Sequence, residues 1–142
     1  MNTEAFLIAV GIAVVAGMVT IGELVGHASL EAQRNPELEP TFKKLTILGI
    51  ALVESAAIYG LVMALLILYS DASVYKALGS ALAVALPGTA AGWEAKIVQS
   101  AIQAILRNPA DEKKIQSNMI LYIALTESAA IYGLIILLIL YS

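Results

Sequence analysis

Four long apolar runs separated by short polar punctuation fill this chain, near residues 6–33, 45–69, 77–106 and 117–141. Each is long enough to cross a hydrocarbon core, which takes about 20 consecutive, mostly apolar helical residues. Backbone groups in lipid must find their partners within the segment, so each run is expected to be a helix. The punctuation pairs the runs. Arg34-Asn35-Pro36 follows the first, and Arg107-Asn108-Pro109 follows the third, 73 positions later. Proline disfavours a continuing helix, so each triplet is expected to end one span and open the next. A short segment around 71–76 joins the halves. The expected fold is an all-α membrane protein of four transmembrane helices, arranged as two tandem hairpins over residues 1–70 and 71–142.

The repeat runs deeper than its loops. Residues 50–61 read IALVESAAIYGL and residues 123–134 read IALTESAAIYGL, differing only where Val53 becomes Thr126. Glu54 and Glu127 each lie 18 residues after their loop proline (54 − 36 and 127 − 109). Both halves close on LLILYS, at 65–70 and 137–142. An acid within a membrane helix is costly, and placing one there twice points to use. A second acid lies in each hairpin, Glu23 in the first span and Glu94 in the third. A folded hairpin is expected to bring Glu23 near Glu54, and Glu94 near Glu127. Two carboxyls sharing a low-dielectric site cannot both stay charged without a cation, so such a pair suits reversible binding of one. Ser55 and Tyr59, with Ser128 and Tyr132, add oxygens. At about 100° per residue, Ser55 and Tyr59 point about 100° and 140° away from Glu54, so the carboxylate leans toward them across a helix interface. Hard oxygen donors fit Na⁺ or hydronium rather than a transition metal.

Other residues are less telling. His27 and Glu31 lie toward the cytoplasmic end of the first span and are expected to be solvated. Trp93 is expected to pack. Lys96 stands about 200° around the helix from Glu94 and so does not pair with it; it is expected to snorkel toward the interface. Pro87 is expected to bend the third span. The first span carries Gly11, Gly17, Gly22 and Gly26, and the third carries Gly79, Gly88 and Gly92, whereas the second and fourth end in bulky Leu/Ile runs. Small residues let membrane helices approach closely, which suggests a crowded inner layer and a bulky outer one.

Composition agrees with a membrane protein: 60% of residues are hydrophobic and 13% charged, with a mean hydropathy of +0.86. The start lacks a basic region and is read as the first mature span rather than a signal peptide. The net charge of −3 and the lack of a basic run speak against nucleic acid as a partner. There are no cysteines, and no nucleophilic triad, phosphate loop or cofactor motif, so the chain is not expected to be catalytic alone or to hold a cofactor. Arg34, Lys43 and Lys44 flank one hairpin loop, and Arg107, Lys113 and Lys114 the other; the far side offers Lys76, with Glu4 and Asp71. By the positive-inside rule both hairpin loops face the cytoplasm of a multi-pass cell-membrane protein, with both termini opposite.

These features together resemble the rotor-ring proteolipid of rotary ATPases, known as the c or K subunit, over essentially the whole chain. The resemblance rests on the Gly/Ala-rich first helix, the Arg-Asn-Pro loop (similar to the family's Arg-Gln-Pro) and Glu-Ser-Ala-Ala-Ile-Tyr-Gly-Leu before a Leu/Ile tail. The repeat makes it the duplicated, four-helix form. The resemblance implies a ring of many copies, with the first and third helices inside and the second and fourth outside. It implies that Glu54 and Glu127 carry Na⁺ or H⁺, completed by Ser55, Tyr59, Ser128, Tyr132 and the carbonyls of Leu52 and Leu125, with Na⁺ favoured by the serines. It also implies a stator protein with an essential arginine, central-stalk proteins meeting the loops at 34–44 and 107–116, and surrounding lipid. Glu94 precedes Arg107 by 13 residues, which matches the family's inner-helix partner position; Glu23 precedes Arg34 by only 11. For Glu23 to stand level, the first helix needs a deletion or a local π- or 3₁₀-type adjustment. Two other classes fit four membrane helices. One is a small proton-coupled multidrug exporter, which places its essential acid in the first helix and lacks the duplicated Glu-Ser hairpin. The other is a structural tetraspan protein without transport.

Overall fold

The computed structural model describes residues 4, 21–70, 73, 75–76, 78–80, 82–83 and 90–141. Gly11, Gly17, Pro87 and Gly88 lie outside the described residues. Every regular element described is helical. Residues 21–34 form α1; α2 spans Glu39–Val53, α3 Ser55–Leu68, α4 Ala90–Arg107 and α5 Glu112–Tyr141. Single turns of 3₁₀ helix, Pro36–Leu38 and Pro109–Asp111, precede α2 and α5.

The loops are shorter than hydropathy suggests. The segments 34–44 and 107–116 are mostly helix, and the chain between elements reduces to Asn35 and Asn108. Proline is well placed at the start of a helix, where its missing N–H has no intrahelical partner to lose. Acids in the first turns (Glu37 and Glu39, Asp111 and Glu112) suit the positive end of the helix dipole. Hydropathy marks the membrane boundary, while the helix runs on beyond it. Both turns are built alike. The Asn35 amide donates to the Glu31 carbonyl at 3.0 Å, and the Asn108 amide to that of Ala104 at 3.0 Å.

The helices that carry the repeated acid differ at it. α5 runs unbroken through Glu127, whereas Glu54 interrupts the α2–α3 run as a single turn residue. The main-chain ladder still crosses that point: Glu54 N–H reaches the Ile50 carbonyl at 2.9 Å, and Ile58 N–H reaches that of Glu54 at 3.1 Å. Length and composition qualify Pro36–Val62 and Pro109–Tyr141 as membrane spans.

α4 lies at the centre of the packing, against α5 on one side and α2 on the other, while α3 meets α5. Leu24, Phe42, Leu45, Val98, Ile102 and Ile123 are among the buried residues of a single core. Among Gly22, Gly26, Gly49, Gly79 and Gly92, Gly49 meets the closest approach, α2 against α4, where a Cβ would stand 2.7 Å from Val98 Cγ2. The expected small-residue stripe behaves differently. Around Gly22, Gly26, Gly79 and Gly92 an added Cβ meets nothing within 4 Å, so within one chain these glycines face open space. Large apolar side chains such as Ile47, Ile58, Leu61 and Ile139 are also exposed. An apolar exterior of this kind belongs against lipid or other copies of the chain.

Candidate ion site

The site gathers on α5. Glu127 projects from its middle, half-buried, and its Oε1 accepts a hydrogen bond from the Tyr59 phenol at 2.7 Å. Tyr59 comes from α3 in the other hairpin, where Ser55, one turn earlier, also engages the phenol oxygen. Glu94, on α4, is 1% exposed and close enough to Glu127 for the two carboxyls to interact electrostatically. On α5 the Ser128 hydroxyl donates to the Leu125 carbonyl at 2.7 Å. Two carboxyls, a phenol, two hydroxyls and a carbonyl thus come from three helices of both hairpins. Sequence spacing grouped Tyr59 with Glu54; the fold assigns its hydrogen bond to Glu127.

Among the described residues no basic side chain balances these acids. The one ion pair there joins Arg34 and Glu31 at 3.3 Å beside the first loop. The described residues also hold no cluster of three or more His, Cys, Asp or Glu. What remains is a two-carboxyl oxygen site whose charge must be cancelled by a small cation, a proton or both. Burying an unpaired carboxylate costs roughly several kcal/mol in any low-dielectric setting.

The first hairpin has no equivalent constellation among the described residues of one chain. Glu54 is exposed, as is Tyr132 at 64%. Glu23 is exposed too, and the expected pairing of Glu23 with Glu54 does not form within the chain. Residues 21–34 are α-helical throughout and lead into the same turn as α4, so no π or 3₁₀ adjustment occurs there. The 73-residue offset of the loops therefore carries through the described residues of α1 and α4. It sets Ala28 beside Ala101 and Val25 beside Val98 (28 + 73 and 25 + 73), and both alanines are buried. In this register Ile21 takes the place of Glu94, and Glu23 that of Lys96. Leu52, by the same rule, corresponds to Leu125.

Several residues differ from expectation in their surroundings: Trp93 is exposed rather than packed, and Glu31 is half-buried and paired with Arg34. His27 is half-buried rather than solvated, with Nε2 3.5 Å from Gln103 Nε2 and Nδ1 buried without a partner. Lys96 lies with its ammonium 4.7 Å from the centre of the exposed Trp93 ring. That contact, worth about 0.5–1 kcal/mol at an exposed site, gives Lys96 a partner on its own helix. The i, i+3 spacing of Trp93 and Lys96 was the available signal.

The family model for the C subunit of ATP synthase matches the chain twice, over residues 5–67 and 78–140. The 16 kDa proteolipid c subunit of the human V-type proton ATPase is 36% identical over 121 residues, 81% of this chain and 73% of that protein. The ATP synthase c subunit of Chloroflexus aurantiacus is 40% identical over 67 residues, 47% of this chain and 88% of the relative. That of Desulfotalea psychrophila is 55% identical over 38 residues, 27% of this chain and 46% of the relative. A relative of roughly half the length thus matches nearly end to end on half of this chain. With the unit matched in both halves and an acid in the middle of each outer helix, the chain belongs to the ATP synthase C-subunit family, as an all-α membrane proteolipid of a rotary ATPase that carries the unit twice.

Proposed function

We propose that this proteolipid carries Na⁺ on Glu127 and Glu54 in a rotating ring of copies, coupling ion passage to ATP synthesis or hydrolysis in a soluble head. The observation that carries the reading is the Tyr59–Glu127 hydrogen bond between hairpins, beside a buried Glu94 and without a basic partner among the described residues. A carboxylate there is held and desolvated, ready for a small cation. The oxygen set favours Na⁺, with one proton retained between the two acids to neutralise the site; H⁺ alone is the competing cargo. A loaded site is neutral and can face lipid. When it meets the stator's arginine, the carboxylate exchanges its cation for that positive charge and releases the ion on the other side.

The same bond supports the ring. Tyr59 of the first hairpin serves Glu127 of the second. Shifted by 73 residues, the relation sets Tyr132 of one copy beside Glu54 of the next (59 + 73 and 127 − 73). Such a head-to-tail contact is heterologous, and closing it by rotation gives a ring. The helical turns at 34–44 and 107–116 then line one rim, on the cytoplasmic side, where they meet the central stalk; both termini lie on the other. The paired domains 1–70 and 71–142 are successive staves of that ring.

Carbodiimide labelling of membranes tests the cargo, since the reagent modifies protonated carboxyls. Labelling at Glu127 and Glu54 that slows with millimolar Na⁺ supports Na⁺. Labelling that follows pH and ignores Na⁺ assigns H⁺, and no labelling at either acid overturns ion carriage. The native mass in mild detergent tests the ring.

A further inference from the structure

Among the grooves lined by the described residues, two are related by the 73-residue repeat to the two sides of the closed joint between the hairpins. The first groove, about 340 Å³, lies on the first hairpin and includes Val25, Ala28, Ser29, Ala32, Glu39 and Lys43. Adding 73 to the last two gives Glu112 and Gln116, which hydrogen-bond Thr41 and Lys44 across the joint within the chain. Adding it to Val25 gives Val98, which packs against Gly49 there. The second groove, about 660 Å³, lies on the second hairpin and includes Ile115, Asn118, Met119, Tyr122 and Thr126. Subtracting 73 gives Phe42, Leu45, Thr46, Gly49 and Val53, all buried. One groove is thus the repeat of the receiving face, and the other the repeat of the inserted face.

The faces have changed together. Where Gly49 lets Val98 approach, the second groove presents the exposed ring of Tyr122. Where the closed joint has the buried Ile102 and Ile105, the first groove has Ser29 and Ala32. Bulk is gained on one surface and lost, a turn or more along, on the other. Charge has moved in the same way. Thr41 donates to Glu112 at 3.3 Å inside the chain. The repeat turns that pair into Lys114 and Glu39 (41 + 73 and 112 − 73), both exposed in a single chain.

We propose that the second groove of one copy docks on the first groove of the next, with Tyr122 seated against Val25 beside Ser29, and Lys114 ion-paired with Glu39. The inference rests on the ring reading above. It adds that the ring alternates two chemically distinct joints: a glycine-tight one inside each chain, and one between copies built on a tyrosine knob and a salt bridge. Shape and charge both commit the grooves to a second copy rather than to another protein.

The chain has no cysteine, so disulfide trapping is clean. Glu39→Cys combined with Lys114→Cys, oxidised in the intact membrane, is expected to give a ladder of covalent multimers. Thr41→Cys with Glu112→Cys is expected to give cross-linked single chains. A Glu39/Lys114 variant that stays monomeric under oxidation while its native mass is still that of a ring overturns the docking and leaves the ring standing. A wild-type native mass of one or two chains overturns the ring itself. As a second measurement, Glu39→Lys is expected to lower the fraction of detergent-stable ring about tenfold, because it sets like charges face to face. Adding Lys114→Glu is expected to restore it, and failure of that rescue overturns the ion pair.

Discussion

Glu54 and Glu127 sit in almost the same twelve residues and meet different surroundings. Glu127 lies in an unbroken helix, half-buried, bonded to Tyr59 of the other hairpin and near the buried Glu94. Glu54 lies at a one-residue break, exposed, with Ile21 where its inner-helix acid would stand. Identical local sequence therefore does not give identical sites, because the site is assembled from neighbouring hairpins. The second hairpin finds its neighbour within the chain; in the proposed ring the first finds it in another copy.

Removing each acid tests that comparison most severely. Glu127→Gln keeps shape and removes the charge assigned to the ion in the proposed function, so ion-coupled ATP synthesis in membrane vesicles is expected to fall by about 100-fold, or about 2.7 kcal/mol in the coupled rate. Glu54→Gln is expected to fall as far if both sites work in the assembled ring. Retained coupling in Glu54→Gln alone marks the first hairpin as a structural stave. Site-resolved carbodiimide labelling of each variant reports whether the remaining acid still loads.

The next test asks which tyrosine serves which acid. Tyr59→Phe removes a hydrogen bond to a charged group, worth about 1.5–3 kcal/mol, and is expected to weaken cation protection of Glu127 by roughly tenfold or more while sparing Glu54. Tyr132→Phe is expected to do the reverse in the ring. Loss of protection at Glu54 in Tyr59→Phe breaks the crossed assignment. A third substitution, Gly49→Ala, sets a methyl 2.7 Å from Val98 Cγ2. Overpacking of this kind costs about 1–3 kcal/mol, so the variant chain is expected to lose thermal stability. Gly22→Ala meets nothing within 4 Å in one chain, and any loss there reads the contact with another copy.

Much of this was legible in the sequence. The apolar runs and repeated triplets give four spans and two hairpins, and the repeated acid with its Ser and Tyr marks residues that gather around Glu127. Three things were not legible, each for a physical reason. Helix ends were misplaced because hydropathy tracks apolar content, whereas a proline-led helix extends through polar residues such as Glu39 and Glu112. The Tyr59 assignment was missed because its direction from Glu54 shows only that it crosses an interface, and not which one. Glu23 was matched to Glu94 by residue type; a continuous helix holds the register of the loop, and that register aligns Glu23 with Lys96.

The smallest effect belongs to the single difference within the repeated twelve, Val53 against Thr126. Val53 is fully buried in the closed joint, whereas Thr126 borders the open groove and returns its hydroxyl to the Tyr122 carbonyl at 2.9 Å. Such back-bonding adds little and slightly favours bending of the helix. Thr126→Val is therefore expected to change stability by no more than about 0.5 kcal/mol. Val53→Thr places a hydroxyl in the core, where the Gly49 carbonyl one turn earlier offers the same back-bond. Its cost is expected at about 1 kcal/mol, below that of an unsatisfied buried hydroxyl. Thermal dissociation of the ring compares the two exchanges directly. Equal shifts indicate that the joint between copies buries Thr126 as fully as the chain buries Val53, so that assembly restores at this position the symmetry that one chain lacks.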